Sequence, residues 1–334
     1  MPAAYTLPTD RIDLASGATI RTCRLCGHQG PLNLDNFYRR NDEAPFEDRC
    51  QTCRRARNRE VARLRRAGTP VRAGRAIATA RKFGVEIEFC GATNYELERA
   101  LRARGLTANV ESYGHRTPRG WKIVTDASVL GGYELVSPPL SGAEGLRQLK
   151  LATEALAEIG ARVDRRCGLH VHHDVSDLSG ADFARLFRGW SANQQATNGL
   201  VAPSRRNSNW AAPLTAYDLN VLTGAPADAV GVDALRNFLR VPDRYRSLNI
   251  AAYGRQGTVE VRQHQGSLSY AKIAAWIAFG QAFIAAAKTG EEIEVAADAP
   301  ALVEILSRTG ALPAAQAETL RRRASHFSGR PVAA

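Results

Sequence analysis

The chain has 334 residues, enough for one large domain and a small module, and its 44% hydrophobic and 23% charged content is that of a globular protein with an ordinary core. Met1 to Asp10 is short, polar and Pro-containing, so no secretory leader is expected. The longest apolar run, Ile273 to Ala287, is broken by Gly280 and Gln281 and is too short to span a bilayer, so we expect a cytoplasmic protein with no membrane contact.

The net charge of +12 is local. Residues 54–82 hold ten Arg and Lys82 against Glu60 alone, whereas the flanking stretches are close to balance. The basic character therefore describes an arm and says little about the body of the protein.

Residues 1–20 read as a tail. Cys23-Arg-Leu-Cys26-Gly27 is a tight turn that aims two thiolates at one ion, with Gly27 permitting the backbone to fold back. Cys50-Gln-Thr-Cys53 repeats the spacing, and Pro31, Leu32, Phe37, Tyr38 and Phe46 lie between the pairs as material for a miniature core. With no secretory leader expected, paired cysteines read as metal ligands before disulfides. Residues 21–56 are thus expected to fold around a structural Zn2+ held by Cys23, Cys26, Cys50 and Cys53, and removal of any one should unfold the module. In outline the module resembles small zinc modules attached to bacterial and phage proteins, often nucleases.

A helix is expected from Arg54 to Arg66, stopped by Gly68 and Pro70, so that residues 57–82 form a basic helix and linker. This segment fits a solvated linker, and equally an arm that makes a nucleic-acid or protein contact through phosphate or carboxylate groups. No aromatic residue interrupts residues 54–82, so any nucleic-acid binding there would lack base stacking and tolerate any sequence.

From Phe83 the pattern becomes strands separated by helices. Phe83, Val85, Ile87 and Phe89 alternate with Gly84, Glu86 and Glu88, a period of two that predicts a strand carrying both carboxylates on one face, ~7 Å apart. Alone, the pair fits a solvated face; held away from water, one carboxyl has its pKa raised unless a cation lies between them. A helix follows over Tyr95 to Gly105, then strands over Trp121 to Asp126 and Tyr133 to Ser137 with a turn at Gly131-Gly132. Gly142 to Ile159 is helical. Leu169 to Asp174 is a strand with His170, His172 and Asp174 on one face and Leu169, Val171 and His173 on the other.

A helix over about Ala181 to Asn198 leads to the loop Pro203 to Asn207 and an irregular stretch to about Asp233. Arg246 to Tyr253 and Thr258 to His264 read as two strands, the second with Glu260, Arg262 and His264 opposite Val259 and Val261. A helix from Ala271 to Lys288 and one or two more complete the chain.

Helices interspersed among strands without strict alternation predict an α+β fold with an antiparallel sheet. No Gly-x4-Gly-Lys-Ser/Thr phosphate loop is present, and no dinucleotide Gly-x-Gly-x2-Gly lies between a strand and a helix. Any nucleotide must then be held by metals and side chains. Four stretches place polar groups opposite apolar ones: Glu86/Glu88, Asp126 with Glu134, His170/His172, and Glu260/Arg262. On one sheet they would make a basin of oxygen and nitrogen donors suited to Mg2+ or Mn2+, and an Arg among carboxylates suits a phosphate.

These stretches carry a resemblance. Phe83-Gly-Val-Glu-Ile-Glu-Phe89, Asp126-Ala-Ser-Val, Glu134-Leu-Val-Ser-Pro-Pro139, Cys167-Gly-Leu-His-Val-His-His173, Arg244-Tyr-x3-Asn249 and Thr258-Val-Glu-Val-Arg262 occur in this order. Over residues 83–285 the chain resembles the amidoligase family, a branch of the glutamine synthetase-like carboxylate–amine ligases related in motif to glutamate–cysteine ligases. The resemblance implies a curved antiparallel sheet with flanking helices as catalytic domain, over residues 83–290, followed by a helical extension over 291–334. It implies divalent metals at Glu86, Glu88, Glu134, His172 and Glu260, with Asp126 at a further motif position, and nucleotide phosphate at Arg262. His170 and Asn249 match positions assigned to the nucleotide side. Arg205, Arg206 and Asn207 match a segment that binds phosphate or a substrate carboxylate, or else form a solvated basic loop.

The implied reaction joins a carboxylate to an amine, on amino acid, peptide or protein substrates, through an acyl phosphate with release of ADP; the catalytic set is Glu86, Glu88, Glu134, Glu260 and Arg262. It needs no protein nucleophile, so Cys167 is expected to be structural. Two other readings remain at this stage: a zinc-module metallonuclease using His172/His173 with carboxylates, and a nucleic-acid-binding protein with a degenerate ligase domain.

Overall fold

The computed structural model describes residues 11–12, 19–22, 29–31, 51, 81–112, 114, 117, 119–125, 129, 131–239 and 243–328. The four module cysteines, the basic helix and Asp126 lie outside these residues. The chain divides into two units, Met1–Arg72 and Ala73–Ala334. In the first, β1 (Arg11–Ile12), β2 (Thr19–Thr22) and β3 (Gln29–Pro31) form an antiparallel sheet in that order.

The second unit is built on a seven-stranded sheet. Its strands are β4 (Phe83–Phe89), β5 (Ala108–Val110), β6 (Trp121–Thr125), β7 (Tyr133–Val136), β8 (Gly168–Asp174), β9 (Leu248–Asn249) and β10 (Thr258–Gln265). Their spatial order is β5-β6-β7-β4-β8-β10-β9, which puts the Glu-x-Glu strand at the centre. The sheet is mixed, where an antiparallel one was expected: the short strand β5 runs parallel to β6. Three residues, Ala-Asn-Val, are too few to show a period of two, so the local pattern carried no signal for this strand.

The helices are α1 (Asn94–Ala103), α2 (Gly142–Glu158), α3 (Gly180–Ala192), α4 (Gln194–Asn198), α5 (Ala216–Leu222), α6 (Val232–Leu235), α7 (Tyr253–Gln256), α8 (Tyr270–Ala287), α9 (Ala299–Ser307) and α10 (Ala314–Ser328). Three of them open on reciprocal capping boxes, Thr93/Glu96, Ser179/Asp182 and Thr215/Asp218, each satisfying two backbone N–H groups that the first turn leaves without partners.

Helix α8 is the spine of the core and packs against β8, α2, α3, α9 and α10. At 18 residues the whole helix is longer than the run from Ile273 that the sequence marks as too short, and by length and composition it could cross a membrane; 78% of it is buried inside the fold. A helix apolar all round is what a core position between layers requires. Gly280 lets α8 approach β8 closely, because a Cβ there would lie 2.3 Å from Nε2 of His173. His173 is fully buried on that apolar face, and burial, with the charges of Arg81 and His172, pushes its imidazole down to about 3.

The stretch expected to be irregular holds α5, and three expected elements are altered. The expected long helix after residue 180 breaks at Asn193, whose Nδ2 donates to the carbonyls of Gly189 (2.9 Å) and Glu294 (3.1 Å). The expected strand Arg246 to Tyr253 is reduced to Leu248–Asn249, because Oδ1 of Asn249 accepts the Ala251 N–H (2.9 Å) and turns the chain into α7. His264 does not share a face with Glu260 and Arg262: a bulge between Val261 and His264 shifts the register against β8. The extra residue carries His264 to the apolar side, where its ring lies 5.1 Å from that of Trp276 on α8.

Candidate active site

Period two on β4 buries Phe83, Val85, Ile87 and Phe89 beneath the sheet and turns Glu86 and Glu88 to the opposite face. Register with the neighbouring strands assembles the rest. Glu86 lies opposite His170, Glu88 opposite Glu134, His172 opposite Glu260, and Glu260 opposite Asn249. These groups line one cavity of about 1810 Å³ over the sheet, together with Arg205 and Arg262. Its volume exceeds the ~300–1,000 Å³ usual for a small-molecule site, leaving room for two substrates at once.

Glu86 is the hub. Its Oε2 is 3.2 Å from Nδ1 of His170 and its Oε1 3.3 Å from Nε2 of His172. Two sets of donor atoms share it, Glu86/His172/Glu260 and Glu86/Glu134/His170, with the ligand atoms of each set within 4.8 Å of one another. Burial opposes ionisation of Glu86, yet hydrogen bonds and charges from His170 and His172 hold its carboxyl well below the usual range. The reciprocal effect is seen at His172: burial alone would lower it, but the hydrogen bond and charge of Glu86, and the charge of Glu260, hold the imidazole above its ordinary value. A cluster that raises the pKa of a buried imidazole against the effect of burial is locally negative. That is the condition under which a hard divalent cation fits, and mixed carboxylate–imidazole donors suit Mg2+ or Mn2+.

Supporting contacts fix the donors. The Thr258 hydroxyl is 3.2 Å from Nδ1 of His172, which leaves Nε2 for Glu86. Asn249 Nδ2 donates to Oε2 of Glu260 (2.8 Å), and Arg262 Nη1 donates to Oε1 of the same carboxylate (2.5 Å). Glu88 stands outside both donor sets. Its Oε2 accepts the Gly168 N–H at 2.6 Å, and its Oε1 lies 3.8 Å from Nε2 of His170. Gly168 leaves room for this convergence, since a Cβ there would crowd His170 Nε2 at 3.1 Å, Arg205 Nη2 at 3.3 Å and Glu88 Oε1 at 3.3 Å.

The structure brings Arg205 into the basin but not its neighbours. Arg205 is 5% exposed; its Nη2 donates to the Arg262 carbonyl at 3.0 Å, while its Nε has no hydrogen-bond partner. Burial lowers its pKa, partly offset by the charge of Glu88. A buried guanidinium with an unused donor, lining a cavity, fits an anionic ligand. Arg206 and Asn207 do not line the cavity. His173, paired with His172 in the nuclease reading, faces α8 on the other side of the sheet.

Lys122, Thr258, Trp210 and Tyr245 also line the cavity, although sequence reasoning assigns none of them a role and Thr258 and Tyr245 enter it only as parts of motifs. Lys122 is 5% exposed and its Nζ donates to the Gly114 carbonyl at 2.6 Å. Its alternation with Trp121 and Ile123, both buried in the core, was the available signal. Trp210 sits in a stretch without periodicity and had none.

No curated protein matches the chain. The family described as "Putative amidoligase enzyme" matches residues 79–284, more than half of the chain and the whole of the seven-stranded sheet. The chain therefore belongs to this amidoligase family of ligase enzymes.

Proposed function

We propose that this protein is an ATP-dependent carboxylate–amine ligase of the glutamine synthetase-like class, forming an amide through an acyl phosphate and releasing ADP. The observation that carries the reading is the pair of donor sets sharing Glu86, beside two buried guanidiniums, in one basin inside the family's residues. Glu86, His172 and Glu260, and Glu86, Glu134 and His170, would hold Mg2+ or Mn2+, with Glu88 and Asp126 as further candidates. Such ions supply charge neutralisation of the transferring phosphoryl group.

The chain's own residues do the rest. Arg262 and Arg205 bind phosphate oxygens, and Arg262 is held in place through Glu260 and the Trp210 carbonyl. The substrate carboxylate oxygen attacks the γ-phosphorus and ADP leaves; the amine nitrogen then attacks the acyl carbon and phosphate leaves. The amine must also lose a proton, for which Glu134 and Glu88 line the cavity as acceptors.

The N-terminal unit would carry structural Zn2+ on Cys23, Cys26, Cys50 and Cys53 and present the basic arm to a macromolecular partner. The test supplies ATP, Mg2+ and pooled amino acids, peptides or host lysate and follows ADP and mass shifts. Hydroxylamine in place of the amine should yield a hydroxamate. Glu88→Ala and Glu260→Ala should abolish turnover. Release of AMP and pyrophosphate, or full activity in both variants, refutes the proposal.

A further inference from the structure

The chain has four tryptophans. Trp121, Trp190 and Trp276 are at most 1% exposed, whereas Trp210 is 51% exposed and lines the basin. An indole half in water, lining a cavity that also holds a cluster of charged groups, is ordinarily a contact for a ligand.

The segment that carries this indole is anchored by hydrogen bonds. Ala212 pairs with the strand-like segment at Arg246, its N–H donating to the Tyr245 carbonyl (2.8 Å) and its carbonyl accepting the Ser247 N–H (2.7 Å). The Trp210 N–H donates to the Ser208 hydroxyl at 3.2 Å, and the Trp210 carbonyl accepts Nε of Arg262 at 3.2 Å. The indole meets Tyr245 edge-on, with centroids 5.1 Å apart and planes at 86°. The Tyr245 ring in turn has the guanidiniums of Arg244 and Arg262 at 5.3 and 5.9 Å. One continuous wall thus runs from the exposed indole, past two guanidiniums, to Glu260 and the donor sets.

We propose that Trp210, backed by Tyr245, is the platform on which the purine base of the nucleotide stacks. The flat ring sits at the open end, the phosphates pass the guanidiniums of Arg244 and Arg262, and the terminal phosphate reaches the donor sets around Glu86. This inference rests on the ATP-dependent reading above. A peptide substrate stacking on the same ring is the competing occupant; the run of guanidiniums from ring to carboxylates favours a ligand with a planar end and a polyanionic end. Base stacking on an aromatic ring tolerates different bases, so adenine and guanine nucleotides should differ little at this contact.

Because the other three indoles are buried, emission accessible to acrylamide reports Trp210. The full chain is titrated with ATP and Mg2+, with inorganic tripolyphosphate and with an acidic peptide, and binding is measured in parallel by calorimetry. ATP should quench the emission and protect it from acrylamide, while tripolyphosphate binds without either effect. Trp210→Ala should weaken ATP ~5- to 150-fold and leave tripolyphosphate unchanged, and Trp210→Phe should retain most of the affinity. Equal ATP binding by wild type and Trp210→Ala, or protection by the peptide and not by ATP, overturns the platform while leaving the ligase reading intact. Failure of any nucleotide to bind overturns both.

Discussion

The assignment of faces on β8 can be tested from its apolar side by Gly280→Ala. Alanine in place of glycine within an exposed helix gains about 1 kcal/mol. Here the new Cβ would lie 2.3 Å from Nε2, 2.9 Å from Cδ2 and 3.0 Å from Cε1 of His173, all far inside the contact distance of about 3.5–4.0 Å. The ring is fully buried between sheet and helix, so relief requires the helix to move. Overpacking of this kind costs about 1–3 kcal/mol, and the closeness of three ring atoms puts the cost at the upper end, for a net loss of about 2 kcal/mol.

In a His173→Ala background the obstacle is gone and the same substitution should stabilise by up to about 1 kcal/mol, so the cycle should show about 3 kcal/mol of coupling. Urea unfolding of the four proteins, followed by tryptophan emission, measures it, because all four indoles belong to the second unit. A more stable Gly280→Ala single variant, or the same effect in both backgrounds, would mean that His173 does not face α8. The opposite placement of His170 and His172 would then lose its support.

Gly168→Ala should lower ADP release ~10- to 100-fold by displacing His170, Arg205 or Glu88 from their convergence, with the urea midpoint little changed; undiminished turnover refutes the crowding. His264 is held neutral by burial and the nearby charge of Arg323, well below the ordinary histidine range. Below about pH 6.5 the unfolded chain binds a proton there that the folded chain refuses, so stability is full at neutral pH and falls as pH falls, by up to ~1.4 kcal/mol per unit. His264→Gln should flatten the slope of urea midpoint against pH between 6.5 and 5, and an unchanged slope refutes this. Burial pushes the Cys167 thiol up to about 11, so it should resist iodoacetamide at pH 8 and Cys167→Ala should keep ATP turnover; inactivation by alkylation of Cys167 would make the thiol functional instead.

Much of the site is legible in the sequence because a strand's two faces are a local property. The alternation in Phe83–Phe89 and Gly168–Asp174 assigns Glu86, Glu88, His170 and His172 to polar faces without knowledge of any neighbour. The same local rule places His173 and Val171 opposite. Apolar repeats at three and four similarly mark α2, and a long apolar run marks α8, each within a residue or two at both ends.

What tertiary structure alone decides is which faces meet and at what register. That β4 lies between β7 and β8, so that Glu86 serves both donor sets, depends on pairing across tens of residues. The bulge before His264 is set by the fit of β10 against β8 and reverses the face that alternation assigns. Arg205 and Trp210 reach the basin from segments anchored by long-range hydrogen bonds, Arg205 to the Arg262 carbonyl and the Trp210 segment to Arg262 and, through Ala212, to Tyr245 and Ser247. Periodicity records only what a segment's own backbone repeats; contacts made once, by side chains arriving from elsewhere in the chain, leave no period to read.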